Sequence, residues 1–577
     1  MANEDESRWI AFNGEIFNHA SLRPGLEAAG HRYHSRTDTE TILHAFEQHG
    51  PECLQLFRGM FAFAIWDAGR RQLFCARDRL GIKPFYWWSD GRVFAFASEI
   101  KALLEHPLIT PSFDREGLAE YLALGYRAGE ETMFSGIRKL MPGHWMTISA
   151  AGDRLAIETR QYWDPPAPGV VEERSEEEWI ADCRRRLEET VRMRLMSDVP
   201  LGVFLSGGVD SGAIAALMKG MVPDRVKSFS VGYREAAYSE LPNARRTAEA
   251  LGTDHHEVQL GPDEFFDLLP RLIWHEDEPI CWPSSVSLFV VSRLASQEVK
   301  VVLTGEGSDE IFAGYSRYGL FLRQWRAATL WGRFPSLFRR AAKGLAEGAV
   351  VSPDLRRKLG HTFVAREATV ESLYLDNFLG AFDQRQLAAL GVEGPSYSAF
   401  QRHWARHPGA PALQRLLYAD QKTYLVELLM KQDQMSMACS IESRVPLLDH
   451  TLVEFASRVP GNLKLHSGKG KLLFKRVVED LLPHEIVWGP KKGFPTPLRA
   501  WLCNPARLGA VSTALLDKDG LLASFLDLDA VAALLDAHAG GRQDATDRLW
   551  RLLNLQLWGS LFITGGREAA RYGHSTL

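Results

Sequence analysis

Short apolar runs separated by turn residues fill the first 150 positions of the chain. They fall at Trp9–Phe12, Phe61–Trp66, Leu73–Ala76, Phe85–Trp88 and Val93–Ala97, with Ser89-Asp90-Gly91 marking one of the turns. Runs this short and bounded in this way predict strands. Helices are expected near Thr39–Gln48 and Arg115–Leu124. The stretch 164–176, with Pro165-Pro166-Ala167-Pro168-Gly169, predicts a linker. Beyond it the period changes. Ser175 and Glu178 predict a capping box, and Ile180, Cys183, Leu187, Val191 and Leu195 recur at three- and four-residue spacing, as one face of a helix does. Strands are expected at Leu201–Leu205, Val226–Val231 and Val299–Leu303, separated by helical stretches. That alternation predicts a parallel α/β sheet with ligands at the carboxyl ends of its strands. From about Pro353 to Leu577 the pattern is mostly helical. Two domains are therefore expected: a β-rich one over 1–165 and an α/β one over 175–577 with a largely helical C-terminal part.

Composition narrows the class without choosing within it. The 577 residues are 46% hydrophobic and 24% charged, as in ordinary globular proteins. A net charge of -5 gives no reason to expect nucleic acid or an anionic membrane as partner. No apolar run approaches the ~20 residues of a membrane helix. The acidic start, Met1-Ala2-Asn3-Glu4-Asp5-Glu6, lacks the basic and apolar regions of a signal peptide. Cys53, Cys75, Cys183, Cys281, Cys439 and Cys503 are scattered without paired spacing, which argues against a zinc site or disulfide framework and for a cytoplasmic setting.

The chemistry concentrates at Ser206-Gly207-Gly208-Val209-Asp210-Ser211, between the apolar run Leu201–Leu205 and a helical stretch. Strand, glycine turn and helix point backbone N–H groups at an anion. Two glycines let the main chain approach a phosphate, Ser206 and Ser211 add hydroxyls, and Asp210 calls for a bridging cation such as Mg²⁺. No Gly-Lys-Ser/Thr closes the loop, so this is not a Walker A motif. The hexapeptide resembles the pyrophosphate loop of ATP pyrophosphatases. A second turn, Thr304-Gly305-Glu306-Gly307-Ser308-Asp309-Glu310, puts three carboxylates at a helix start on the same edge of the expected sheet. Read alone, an acidic N-cap cluster that stabilises the helix is the alternative.

Later segments are more ambiguous. Trp488-Gly489-Pro490-Lys491-Lys492-Gly493-Phe494-Pro495 offers lysines on a Gly/Pro-bounded turn, suited to phosphate or simply to solvent. Lys431–Ala438, running into Ile441–Asp449, reads as a site-lining segment or as a helix with internal ion pairs. Ser467-Gly468-Lys469-Gly470-Lys471 has no preceding strand and reads as a flexible basic turn.

Taken in order, Leu-Ser-Gly-Gly-Val-Asp-Ser (205–211), Ser-Phe-Ser-Val-Gly (228–232), Leu-Gly-Thr-Asp-His-His-Glu (251–257), Thr-Gly-Glu-Gly-Ser-Asp-Glu (304–310), Ser-Met-Ala and Glu-Ser-Arg-Val-Pro-Leu-Leu-Asp (436–449) and Pro-Lys-Lys-Gly-Phe (490–494) resemble the glutamine-dependent asparagine synthetases of the B type, from residue 8 to about 565. The resemblance implies an N-terminal-nucleophile amidotransferase sandwich followed by an ATP-pyrophosphatase-type sheet. It implies that ATP adenylates the side chain of aspartate, releasing pyrophosphate, and that ammonia then displaces AMP. Leu205 and Val231 would line the adenosine site, Ser206, Gly207, Gly208 and Ser211 would hold the pyrophosphate, and Asp210 and Asp309 would take Mg²⁺. Thr304 and Gly305 would lie against the nucleotide. Glu306 would take a proton from the attacking nitrogen, Lys491 would stabilise phosphate charge, and Arg444 would help organise the site. A homodimer and an ammonia tunnel are implied by the resemblance alone.

The first domain carries Phe12-Asn13-Gly14-Glu15-Ile16-Phe17-Asn18 and Arg36-Thr37-Asp38-Thr39-Glu40. In the family the residues matching Asn13 and Gly14 form an oxyanion hole, and those matching Glu15 and Asp38 bind the glutamine head group; Asn13-Gly14 is also a good hairpin turn. The family's nucleophile is a cysteine exposed after methionine removal, whereas position 2 is Ala2. Neither Cys53 nor Cys75, both in interior-type runs, replaces it. An incomplete amidotransferase domain is therefore expected, with Met1 an internal methionine of a longer reading frame, no glutaminase activity, nitrogen drawn from ammonia, and a bare sheet edge or core face. Related ligases that amidate or cyclise another carboxylate, such as β-lactam synthetases, lasso-peptide cyclases and secondary-metabolite amidotransferases, are the alternative. The lactam-forming enzymes carry tyrosine where Glu306 stands. A nucleotide-binding scaffold would need neither Glu306 nor Lys491.

Overall fold

The computed structural model describes residues 1–167, 172–347, 358–489 and 496–564. Its first unit is built on β1 (Arg8–Ile16), β2 (Gly59–Asp67), β3 (Gln72–Arg77), β4 (Tyr86–Ser89), β5 (Phe94–Ala97), β6 (Ile137–Lys139), β7 (His144–Ala151) and β8 (Arg154–Gln161). One antiparallel sheet has the order β1-β2-β3-β7-β8 and a smaller one the order β5-β4-β6. The two pack face to face: Ala62, Ala64, Cys75 and Met146 meet Phe85 and Trp87. Side chains alternate across a strand, so Phe61, Phe63 and Phe74 point the other way, onto Ile42, Leu43 and Phe46 of the helix Asp38–His49. The unbroken apolar run of β2 is thus a strand buried on both faces. The expected sandwich is present. The strands β6, β7 and β8 escaped the sequence pattern. β8 is an edge whose residues are mostly exposed and polar, so it carries little apolar signal.

The edge expected to be bare is partly paired. Ile10 N–H donates to Met1 O at 2.8 Å, and the Met1 ammonium donates to Ile10 O at 3.0 Å. The outer face beside it stays apolar: Trp9 and Trp66 oppose each other in register and are 49% and 41% exposed.

The second unit opens with the helix Glu176–Arg194. Its capping box forms as expected: Ser175 Oγ accepts from Glu178 N at 3.2 Å, and Glu178 accepts from Ser175 N at 2.8 Å. Cys183, Leu187 and Val191 turn into the core. The sheet comprises β9 (Leu201–Phe204), β10 (Lys227–Tyr233), β11 (Asp254–Leu260), β12 (Val301–Leu303) and β13 (Glu442–Arg444), in the order β11-β10-β9-β12-β13 and parallel throughout. The order reverses at β9. The loops that leave β9 and β12 therefore diverge and open a crevice at their carboxyl ends, where α/β sheets bind ligands. Strands β11 and β13 were not foreseen. Their polar side chains are spent on polar contacts rather than on an apolar face: His255 lies 3.1 Å from Glu257, and Arg444 pairs with Glu442.

Buried ion pairs join the two units. Lys83 Nζ meets Asp433 Oδ1 at 2.7 Å, and Asp449 is shared by Arg58 at 3.1 Å and Arg194 at 3.2 Å. Burial opposes the charge on Asp449, but the two guanidinium groups outweigh it and hold its carboxyl below the usual range. Such pairs fix geometry more than they add stability. They also bear on the reading of 431–438: residues 431–437 lie within the helix Tyr424–Met437, and Asp433 is used at the domain joint. No described helix is long and apolar enough to cross a membrane.

Candidate active site

The first glycine loop leaves β9 and enters the helix Val209–Met221. Gly207 has φ +74°, and a Cβ there would stand 2.6 Å from Ala244 N, so only glycine fits. The loop is braced from within. Ser206 and Ser211 hydroxyls lie 3.0 Å apart, and Ser206 N–H donates to Ser211 Oγ at 3.1 Å. Gly208 is the N-cap and no side chain caps the helix. Ser206 and Gly208 are exposed while Leu205 is buried, its N–H donating to Phe229 O at 2.9 Å and its carbonyl accepting from Ser230 Oγ. Val231 lies further along the neighbouring strand β10. Backbone donors at an open helix start are what an anion requires.

The acidic turn leaves β12 and meets this helix. A Cβ on Gly305 would stand 2.8 Å from both Asp210 Cβ and Ser211 N, so the two turns touch through a glycine. Thr304 is buried, and its hydroxyl accepts from Glu306 N–H at 3.2 Å. The three carboxylates separate. Glu306 and Asp309 are half-buried, while Glu310 is buried and accepts from Tyr315 OH at 2.6 Å. Burial, reinforced by Asp309, raises Glu310 to about 7. The carboxylates here are therefore more than an N-cap cluster.

The cation that joins Asp210 and Asp309 comes from the chain itself. Lys471 Nζ lies 2.6 Å from Asp210 Oδ2 and 2.9 Å from Asp309 Oδ1. Lys471 is only 3% exposed. Burial opposes its charge, but the two carboxylates outweigh it and hold the ammonium above the ordinary lysine value. The sequence reading missed this residue. The stretch taken for a flexible turn is a hairpin, Leu465–His466 against Lys469–Gly470, with Ser467 at φ +50° and Gly468 at φ +80°. Gly470 packs against Ala313, where a Cβ would stand 2.2 Å from the carbonyl oxygen, and Lys471 N–H donates to Phe312 O at 3.1 Å. Lys471 itself stands at φ +57° just before the helix Leu472–Val478. Its left-handed backbone and the hairpin before it aim the side chain at Asp210 and Asp309, and nothing local in the sequence marks it. Lys491 lies outside the described residues.

Asp210 Oδ1 is buried with no hydrogen-bond partner. An orphaned carboxylate oxygen on a residue that shares Lys471 with a second carboxylate suits a divalent cation.

The glutamine motifs assemble elsewhere. Asn13 and Gly14 lie within β1, paired with Ala62 and Phe61, which removes the hairpin-turn reading. Gly14 has φ +142°, and a Cβ would stand 2.0 Å from Met60 O. Asn13 Nδ2 donates to Ser98 Oγ at 3.2 Å, and Asp38 Oδ2 accepts from Ile16 N–H at 2.9 Å. Burial and then the nearby Asp38 raise Glu15 to about 7. Its nearest cation is Arg444, 3.5 Å away. Arg444 ties the two sites together: its carbonyl accepts from Thr304 N–H at 2.9 Å, and its guanidinium donates to Arg194 O at 2.9 Å. Cys53 and Cys75 are fully buried, and burial pushes both thiols up.

A two-domain molecule with an open glycine loop at a helix start, a carboxylate–lysine cluster and, in the other domain, a strand carrying Asn13, Gly14 and Glu15 is the class these features define. The family comparisons agree. Residues 182–560 match the asparagine synthase family and residues 1–163 match the glutamine amidotransferase domain. The chain is 32% identical over 570 residues to asparagine synthetase [glutamine-hydrolyzing] 1 of Bacillus subtilis, covering 98% of this chain and 87% of that one. It is 35% identical over 565 residues to a putative asparagine synthetase [glutamine-hydrolyzing] of Mycobacterium bovis, covering 96% and 84%. Amidase chyE of Penicillium rubens is 30% identical over 548 residues, covering 87% and 79%. The chain belongs to the asparagine synthase family of ATP-dependent ligases and carries a glutamine amidotransferase domain. That match makes residues 1–163 a glutamine amidotransferase domain, and it leaves the expected lack of glutaminase activity without support.

Proposed function

We propose that the protein amidates aspartate to asparagine with ATP through β-aspartyl-AMP, releasing AMP and pyrophosphate. Its domains on this reading are residues 1–165, which bind glutamine, and residues 175–577, which carry out the ligation. The observation that carries the reading is the Lys471 ammonium set between Asp210 and Asp309 beside an open glycine loop. A fixed cation with backbone donors is suited to phosphate charge that grows as pyrophosphate leaves.

On this reading the loop N–H groups and the hydroxyls of Ser206 and Ser211 bind the β- and γ-phosphates. Leu205, Val231, Thr304 and Gly305 seat the nucleoside. An aspartate carboxylate oxygen attacks the α-phosphorus, the bond to the bridging oxygen breaks, and Lys471 stabilises the departing pyrophosphate. Mg²⁺, when bound by Asp210 and Asp309, supplies further charge neutralisation on the phosphates. Ammonia then attacks the activated carbonyl carbon, the C–O bond to AMP breaks, and Glu306 takes the proton the nitrogen sheds. Asn13, Gly14, Glu15 and Asp38 bind glutamine in the first domain. The ammonia is free or released from glutamine.

A second reading, amidation of a different carboxylate, is favoured by one observation: a relative of similar identity is called an amidase rather than a synthetase. One assay tests both. Pyrophosphate and product are measured with ATP, Mg²⁺ and either ammonium or glutamine. Aspartate-dependent pyrophosphate with asparagine as product supports the first reading. No aspartate dependence in a folded preparation moves the assignment to another acid. Comparing ammonium with glutamine reads the nitrogen source directly.

A further inference from the structure

One surface of the molecule takes no part in this chemistry and runs against the usual burial rule. Leu320, Leu330, Phe334, Leu337, Phe338 and Leu345 are large, apolar and exposed, and all lie on two successive helices, Ser316–Trp331 and Ser336–Glu347, and the turn between them. In the second helix the apolar positions 337, 338, 341 and 345 fall on one face, while Arg339, Arg340 and Lys343 fall on the opposite one. An ordinary surface helix turns such a face to the core. Here it turns outward, with Leu337 78%, Phe338 54% and Leu345 68% exposed. The arrangement is built rather than frayed. Phe338 packs on Trp331 and Phe334 with ring centroids 5.6 and 5.9 Å apart, Trp331 rests on Phe363 at 5.9 Å, and Arg339 Nε donates to Phe334 O at 3.2 Å.

Charge selects the occupant. Between residues 320 and 345 the chain carries six basic residues and no acidic one, although its net charge is -5. A second copy would set this cationic patch against itself in a symmetric contact. A helix with one face of Leu and Phe and the other of Arg and Lys has the composition of helices that lie in a membrane interface, with the apolar side chains at headgroup depth and the long basic ones reaching back toward the phosphates. No described helix is able to span a bilayer, so contact would be peripheral. We propose that the helical hairpin 316–347 docks the protein onto an anionic lipid surface. The overall charge hid this, because the acidic residues that set it lie elsewhere.

The test is flotation of the full chain with large vesicles of 70% phosphatidylcholine and 30% phosphatidylglycerol, against vesicles of phosphatidylcholine alone. Partition onto the anionic vesicles should be at least tenfold higher and should fall steeply in 0.5 M salt. The double variant L337D/F338D and the charge variant R339E/R340E should each lose at least tenfold in partition. Both should keep the synthetase activity of the unaltered protein, which also reports that they are folded. Failure of the unaltered protein to float with anionic vesicles would overturn the proposal. So would equal flotation of all forms, or sedimentation showing self-association that L337D/F338D abolishes in the absence of vesicle binding.

Discussion

Two pairs of carboxylates sit in the two halves of this molecule, and they differ in where the nearest cation lies. Asp210 and Asp309 share the Lys471 ammonium at 2.6 and 2.9 Å. Glu15 and Asp38 have Arg444 only at the margin, 3.5 Å from Glu15, and Arg444 is occupied with Glu442 at 2.6 Å. The outcome differs accordingly. The first pair holds a charged lysine in a site that burial would otherwise discharge, whereas Glu15 is pushed up to about 7. Glu310 repeats the lesson within a few residues: it neighbours Asp309, takes its hydrogen bond from a tyrosine, and also rises to about 7. Similar residues become a fixed charge or a proton-binding group according to whether a cation is built between them.

The largest expected effect comes from removing that cation. Lys471→Met leaves two carboxylates facing each other. One donor aimed at developing charge is worth about 3 kcal/mol, so pyrophosphate formation should fall by about 100-fold or more at saturating ATP. Breaking a buried pair also costs about 3–5 kcal/mol of stability, which thermal unfolding will register. Lys471→Arg, which keeps the charge but not the ammonium's compact shape, should recover folding more fully than activity.

Next in size is the contact between the two turns. Gly305→Ala drives a methyl to 2.8 Å from Ser211 N and must push the glycine loop aside. ATP affinity should fall by about tenfold or more, equivalent to an overpacking cost of about 1–3 kcal/mol. A titration of nucleotide binding checks this without reference to the acid substrate.

On the proposed assignment, glutamine binding by the first domain should depend on pH. Glu15 must be ionised to hold an ammonium, and its carboxyl titrates near 7. Glutamine binding should therefore weaken as pH falls from 8 to 6, by up to about tenfold per unit once the group is mostly protonated. Calorimetry at the two pH values reads this, and Glu15→Gln should bind weakly at both.

The smallest effect is on stability. Glu310 has a folded value raised above its ordinary 4.5, so the stability it contributes is full below about 4.5 and is lost as pH rises through about 7. Glu310→Gln stays neutral and still accepts from Tyr315. Its unfolding temperature should match the parent at pH 5 and exceed it by roughly 2–4 °C at pH 8.

What could be read from the residues in advance was what short-range rules encode. The capping box at Ser175, the helix at 38–49 and the strand–glycine–helix order at 201–221 each declare themselves within a few positions, and the structure has all three. The motifs also ordered the sheet's functional edge. Lys471 was not legible, because its partner Asp210 lies 261 residues away and only a tight hairpin and a left-handed backbone aim it. Strand β13 was missed for a related reason. Its two charged residues, Glu442 and Arg444, pair with each other, and Arg444 also reaches Glu15 and a main-chain carbonyl, so no apolar period marks it. Long-range electrostatics, not propensity, built the parts that escaped.

The measurement that bears most directly on this account is aspartate-dependent exchange of labelled pyrophosphate into ATP, run on the unaltered protein and on Lys471→Met with nucleotide binding checked in parallel. The expected result is exchange that requires aspartate in the unaltered protein and a loss of about 100-fold or more in the variant while ATP still binds. Undiminished exchange in the variant, or exchange indifferent to aspartate, would contradict it.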